Sequence, residues 1–448
     1  MRSRLLATPL DALSISGALR GIVKTIHTCA DLIGFWKYPS KKAAGDFEEM
    51  TLLDKIYWAY KSKKPIILPE KTSQKESFFI MNMDKTPIFT LPKGFEKKHS
   101  ITFSAVGDLI KVEGLENSKD KLYEKVADLI FDKDISYANL ESQLTGQDLG
   151  AYTFSDKETP PVCCTKEQYD ALKSHNGKNY TVIHTACNHT LDMGLEGLET
   201  TLEQLEEDNI IDLGTNRKPE EQKKGRIIEK NGIKIGFVSA TFGLNGKEIP
   251  RDKEYMVNVV KFHHKLPPDK IVDLTLLNDQ ISFCKEQKCD IIIASLHWGY
   301  EYEFFPRQRQ VEAAHAIVEA GVDVIISHHA HVIQPIEYYQ TQRDPERTAI
   351  ITYSLGNLTT SFSAPHLVLS AVLNLTIVKG TVNSKGKTYI EETRLIPVVQ
   401  TESDYGDLPI IQLEKLDTFS ARKCETKEEK DYITAVKGYA SLILGKNV

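Results

Sequence analysis

From Ser100 onward, short apolar runs alternate with amphipathic stretches, the pattern of strands and helices in an α/β domain. Ile101–Val106, Ile135–Leu140 and Thr181–Thr185 read as buried strands, with a helix over Lys119–Phe131 between the first two. In Leu195–Glu207, the residues Leu195, Leu198, Leu202 and Leu205 recur on one helical face. Ile227–Glu229 and Ile233–Ser239 form a hairpin turning at Asn231-Gly232, a pair that accepts positive φ. Ile291–Leu296 and Val322–Ser327 are further buried strands, the second preceded by a helix that Gly321 closes. Ala349–Ser354 and Leu367–Val378 complete the sheet system. Ahead of this, the pattern is helical over Asp46–Lys61, then Lys/Ser-rich over Lys71–Glu76, then a linker over Pro92–His99. We therefore expect a helical N-terminal extension over 1–98, a main domain over 99–400 and a charged, peripheral C-terminal tail over 401–448.

Polar residues gather where these strands end. Asp108 follows the first strand, Glu141 the second, and Asn188 and His189 the third. His297 follows Ile291–Leu296, and His328-His329-Ala330-His331 follows Val322–Ser327. In α/β sheets, ligands bind beyond the carboxyl ends of strands, so these loops are expected to converge on one site. Carboxylate, imidazole and amide oxygen without thiolate select Mn, Fe or Zn. Two such ions about 4 Å apart, bridged by a carboxylate, are a standard hydrolytic arrangement.

Composition narrows the function classes. A net charge of −6 argues against a general nucleic-acid binder, and no apolar run is long enough for a transmembrane span. Pro9 and Asp11 interrupt the apolar start, so no cleaved signal peptide is expected. Seven cysteines scattered without metal spacing point to no disulfide framework and to a cytoplasmic setting. Oligomeric state is not legible.

The motifs Gly107-Asp108, Asn139-Leu140-Glu141, Asn188-His189-x-x-Asp192-x-Gly194, His297-Trp298-Gly299-x-Glu301, Pro306-x-x-x-Gln310, His328-His329-x-His331-Val332 and Tyr353-Ser354-Leu355-Gly356-Asn357 occur in that order. Over residues 100 to 400 the chain resembles the CapA family of poly-γ-glutamate capsule-synthesis proteins. The resemblance implies a two-sheet sandwich flanked by helices, of the calcineurin-like metallophosphoesterase type, with a dinuclear metal site at one edge. It implies that Asp108 holds the first metal and Glu141 bridges both. Asn188, His297 and His329 would hold the second metal, and His331 would return to the first. His189 would be the acid/base, oriented by Asp192. Where phosphoesterases of this type carry Asp-x-His, this chain has Asp108-Leu109-Ile110, so the first metal loses a ligand. The bridging Asp is here Glu141.

His328 is expected to support the ligands or face the pocket wall. Trp298, Glu301, Tyr353 and Asn357 are possible pocket residues, with strand–helix packing equally able to explain Trp298 and Tyr353. His315 shares a helix face with Val311 and Val318 and is expected in the core; His263-His264 are expected at the solvated surface, and Arg307 and Arg309, close after the His297 strand, either there, the commoner fate, or against an anionic substrate. The implied substrate is a peptide or polyglutamate-like chain. The implied reaction is hydrolysis or transfer with His189 protonating the leaving group. Metal-assisted epimerisation next to a carbonyl and a non-catalytic role in a polymer synthesis or export complex stand beside it.

Overall fold

The computed structural model describes residues 3–13, 15–71, 89, 91–145, 161–263, 271–404 and 409–445. In chain order the sheet strands are β1 (Glu96–Leu109), β2 (Ile135–Leu140), β3 (Val182–His184), β4 (Ile211–Leu213), β5 (Arg226–Lys230), β6 (Ile233–Thr241), β7 (Ile291–His297), β8 (Val324–His328), β9 (Ile336–Gln340), β10 (Thr348–Thr352), β11 (Asn357–Thr359), β12 (Leu369–Val382), β13 (Lys385–Asp404) and β14 (Pro409–Lys415). The longer helices are α1 (Gly17–Ile33), α2 (Leu52–Lys63), α3 (Gly194–Glu207), α4 (Thr275–Glu286), α5 (Gln308–Ala320) and α6 (Lys427–Leu444).

One sheet has the order β14-β13-β12-β1-β2-β3-β4, with β11 also paired to β1; the other runs β9-β10-β8-β7-β6-β5. The central strands are parallel: β1 with β2, β2 with β3, and β6, β7, β8 and β10 in succession. Side chains alternate across a strand, so β1 and β2 serve two layers at once. Ile101, Phe103, Ile135 and Tyr137 enter the core that holds Ile235, Phe237, Ile293 and Ile325 of the second sheet. Ala138, Leu140 and Ile183 belong to a separate cluster with Ile411 and Leu413. Helices α4 and α5 add Leu277, Ile281, Val311, Ala314 and Val318 to the first core. A two-sheet α/β sandwich flanked by helices results, as the motifs imply.

Several local expectations are corrected. Only Ala127–Ile130 of Lys119–Phe131 is helical. The Leu122 carbonyl accepts from Leu413 N on β14, and Val126 N turns back to Tyr123 O instead, which breaks the helical ladder. Pro92–His99 is no linker throughout: β1 starts at Glu96, because the long β12 offers Thr381 and Gly380 as partners to Glu96 and Lys97. The charged stretch after Pro397 is not peripheral. β13 runs to Asp404, β14 buries Ile411 and Leu413, and α6 buries Val436, Ala440 and Ile443. Their charged neighbours simply face outward. Apart from Lys71, the stretch Lys71–Glu76 lies outside the described residues. Cys284 and Cys187 are buried and Cys29 is exposed, with no disulfide framework among them. No helix among the described residues is long and apolar enough to cross a membrane.

Candidate metal centre

Strand register builds the site. In the first sheet Asp108 pairs with Asn139 and with Asn357, and Asn139 pairs with His184. In the second, Thr241 pairs with His297 and His297 with His328. Each sheet thus carries a row of polar residues across its strand ends, and the rows meet at one edge of the sandwich. Gly107 permits the approach of β11, since a Cβ there would stand 1.9 Å from the Gly356 carbonyl oxygen. Asp108 N donates to that same oxygen at 3.0 Å.

After β8 the chain turns sharply. His329 and His331 adopt φ of 86° and 56°, left-handed values uncommon for residues other than glycine. The turn brings both imidazoles to the face that Glu141 occupies, a local strain held by surrounding packing and of the kind found at functional sites.

Two groups of donor atoms follow. Ligand atoms of Asp108, Glu141 and His331 lie within 4.8 Å of one another, as do those of Glu141, His297 and His329; Glu141 is common to both. His331 Nε2 stands 3.7 Å from Glu141 Oε1, and His297 Nε2 and His189 Nε2 each stand 3.9 Å from it. Neither Glu141 oxygen has a hydrogen-bond partner among the described residues, although the side chain is 1% exposed. An unpaired buried carboxylate is costly. The spacing is too long for hydrogen bonds yet suits ligands about 2.1 Å from a shared ion, which stand roughly 3–4 Å apart. The residues therefore fit divalent metal. His297 Nε2 is hydrogen-bonded to Asn188 Oδ1 at 2.8 Å, placing those two donors side by side.

Electrostatics agree with this. Burial pushes the Glu141 carboxyl up to about 8, with Asp108 adding to the rise and His331 opposing it. Burial disfavours a charged His331, but Glu141, Glu301 and Asp108 outweigh it and hold the imidazole at about 10. Burial and neighbouring histidines push His297 well down; burial does the same to His329. Two neutral imidazoles and a proton-binding carboxylate cluster describe a place that attracts a cation, which would displace protons there.

Around these residues lies a supporting set, in which Asn139 belongs to a motif without a role assigned to it and motif reading passed over His184 and Asn245. Asn139 Nδ2 donates to Asp108 Oδ1 at 2.9 Å, and His184 Nδ1 is hydrogen-bonded to Asn139 Oδ1 at 2.9 Å. Asn188 Nδ2 donates to Asn245 Oδ1 at 3.1 Å. Asn139 and His184 were detectable as polar residues interrupting apolar strands at matching positions. His328 is fully buried beneath the site, with Nδ1 2.9 Å from Asp108 and Nε2 hydrogen-bonded to Tyr137 at 2.8 Å. Asn357 Oδ1 is hydrogen-bonded to His331 Nδ1 at 2.8 Å, which leaves Nε2 for Glu141. His189 Nδ1 lies 2.6 Å from Asp192 Oδ2, an oxygen that also accepts Val162 N at 2.7 Å. Burial works against a charged His189; Asp192 overrides it and raises the imidazole above its ordinary value.

A cavity of ≈ 660 Å³ opens over the site, with Glu141, Asn188, His189, His329 and His331 at its floor. Its outer wall comes from the N-terminal segment and includes Leu19, Ile22, Ile26, Met50 and Trp58. Trp58 Nε1 donates to Glu301, whose other oxygen lies 3.5 Å from His331 Nε2. Glu301 and Asn357 line this cavity; Trp298 lines a different one, and Tyr353 lines neither but donates to Glu337 at 2.6 Å.

Two surface expectations and one core expectation are overturned. His263 is 8% exposed, stacked between Phe242 and Tyr300, and accepts Gly299 N at 2.7 Å; His264 lies outside the described residues. Arg307 is buried, because Glu303 takes two of its N–H groups at 2.8 and 2.9 Å. His315 is half-buried rather than in the core, bonded to Glu337 at 2.8 Å. Arg309 is exposed as expected.

A two-sheet sandwich with carboxylates and imidazoles at its strand ends is the architecture of a metallophosphoesterase-type α/β protein. Within that class the chain belongs to the family described as bacterial capsule synthesis protein PGA_cap, which matches residues 102–361, more than half of its length. It is 30% identical over 263 residues to the PGA biosynthesis protein CapA of Bacillus subtilis, covering 57% of this chain and 62% of that protein. It is 26% identical over 274 residues to the capsule biosynthesis protein CapA of Bacillus anthracis, covering 59% and 61%. A "probable polyglutamine synthesis accessory protein" of Mycobacterium tuberculosis is 25% identical over 211 residues, covering 46% and 52%. The chain thus spans less than two thirds of the length of these relatives.

Proposed function

We propose that this chain is a metal-dependent enzyme of poly-γ-glutamate or related peptide metabolism, with a dinuclear centre and a histidine acid/base for hydrolysis or transfer. The observation that carries this reading is Glu141, whose two buried oxygens lack hydrogen-bond partners among the described residues while three imidazole nitrogens surround one of them at 3.7–3.9 Å. Asp108, Glu141 and His331 would hold one ion, and Glu141, Asn188, His297 and His329 the other. Mn, Fe or Zn there supplies Lewis-acid polarisation of a carbonyl or phosphoryl oxygen. The protein's own part is positioning and proton movement. Asp192 holds His189 Nδ1, so Nε2 faces the cavity carrying a proton for the leaving group. Glu301 and Asn357 fix His331.

The word "accessory" in the mycobacterial relative's name favours a second reading, a non-catalytic partner in polymer synthesis. One experiment separates the two. Metal-loaded protein is incubated with poly-γ-glutamate, γ-glutamyl peptides and model phosphodiesters, and products are analysed for cleavage and, by chiral chromatography, for D-residue content. Cleavage or transfer, lost in His189→Ala with metal content intact, supports the enzyme. If no substrate reacts and His189→Ala retains full function in the host, the accessory reading replaces it. A change in D-residue content without cleavage, lost in His189→Ala with metal content intact, would instead support an epimerase with His189 as its base.

A further inference from the structure

A second pocket of ≈ 640 Å³ lies behind the metal centre, separated from it by an aromatic layer. Phe242 contacts the rings of both His329 and His263 at 4.5 Å, and His263 stacks on Tyr300, which faces the second pocket. Two polar side chains in its wall have no partner among the described residues: both amide atoms of Gln310, 7% exposed, and the indole N–H of Trp298, 0% exposed. Such groups are normally satisfied, and with His263 Nδ1, also unpartnered among the described residues, four unpaired atoms in one wall point to a ligand that pairs them. Gln310 closes the family motif that begins at Pro306, a motif the metal centre does not use.

Charge defines the ligand further. Arg307 in the pocket wall and Lys61 beneath it share one carboxylate, Glu303, at 2.8 and 3.2 Å, so two buried cations stand against that single anion. Glu301, the other acid near Lys61, is turned to Trp58 and His331. Lys41 and Lys42 are exposed at the rim, with Arg309; among the described residues Glu70 is the one acidic lining residue and accepts Gln308 N. A carboxamide offers one donor and one acceptor edge, matching the C=O and N–H of a peptide amide. An indole N–H adds a donor for a carbonyl or carboxylate oxygen. We infer that this pocket is a binding subsite for an acidic peptide unit, a carboxylate beside an amide, with Gln310 reading the amide and the basic rim the carboxylate. This rests on the peptide reading of the substrate given above.

The test is calorimetry on metal-stripped, full-length protein with γ-glutamylglutamate, its fully amidated analogue and inorganic phosphate. The dipeptide should bind at one site, with the amidated analogue and phosphate at least tenfold weaker. Gln310→Leu should weaken the dipeptide at least tenfold, and Lys41→Ala/Lys42→Ala, both exposed, severalfold. His297→Ala/His329→Ala should leave it unchanged, because the metal centre takes no part. No binding, equal binding of the amidated analogue, or equal binding of phosphate would overturn the subsite. So would unchanged affinity in folded Gln310→Leu, or loss of binding in the histidine double variant. If Gln310→Leu does not fold, the lysine variant decides. Metal content is measured separately, so failure here leaves the metal reading standing, and absence of metal leaves this result standing.

Discussion

Glu141 is the residue shared by both donor groups, and its neighbours differ in how many ligands they bring. With Ile110 in place of a histidine, the proposed first position would have Asp108, Glu141 and His331, whereas the second would have Glu141, His297 and His329, with Asn188 added through its place beside His297. Each missing protein ligand weakens chelation, so titration of stripped protein with Mn²⁺ should show two unequal affinities. Ile110 lines the same cavity, and Ile110→His should tighten the weaker site. Two equal, tight sites in the unaltered protein would count against this assignment. His189→Ala should lower turnover by about 10²–10⁴-fold, the usual scale of acid–base catalysis, and Asp192→Asn by less. The convergence of the strand-end candidates was readable because motif order and apolar strand pattern coincide. Arg307 and His263 were not: their burial depends on Glu303, Phe242 and Tyr300, contacts that no local pattern encodes.

At the level of elements, the N-terminal helix α2 is tied to the loop after β7 through charge. Lys61 on α2 and Arg307 both pair with Glu303, and Tyr57 on α2 donates to it at 3.2 Å. Burial alone would raise the Glu303 carboxyl; the two cations outweigh it and hold it below its usual range. Glu303→Gln would leave both cations buried without their counter-charge, and urea unfolding should show a loss of about 3–5 kcal/mol. A smaller joint lies at His366, whose Nε2 is hydrogen-bonded to the carbonyl of Ser62 on α2 at 3.0 Å. Burial lowers His366 to about 4, and the Ser62 bond only partly opposes this. The unfolded chain takes up that proton near pH 6.5, the folded chain only near pH 4. Stability should therefore be full above pH 6.5 and fall by about 3 kcal/mol as pH drops to 4. In His366→Gln this part of the acid dependence should disappear; an unchanged pH profile would show that His366 does not titrate differently on folding. The helical character of residues 52–63 was visible in the sequence, but its pairing with a loop some 240 positions away was not.

At the scale of the whole molecule, the site exists only where two sheets present their strand ends together. Asp108, Glu141 and Asn188 come from the first sheet and its loops, and His297, His329 and His331 from the second. Metal at this edge would bind the folded state and not the unfolded chain, so it should raise the midpoint of thermal unfolding. Parallel β/α alternation made the two-layer class legible, since apolar runs ending in polar residues allow few arrangements. β12 was legible in the run Leu367–Val378, but its hairpin partner β13 and β14 were hidden, because their charged outward faces mask the apolar alternation. Elemental analysis of protein reloaded with Mn²⁺ and desalted tests the dinuclear centre most directly. About two ions per chain should remain in the unaltered protein, and most should be lost in His297→Ala/His329→Ala and in Glu141→Gln. Equal metal content in all three proteins, or none in the unaltered one, would contradict a centre built on Glu141.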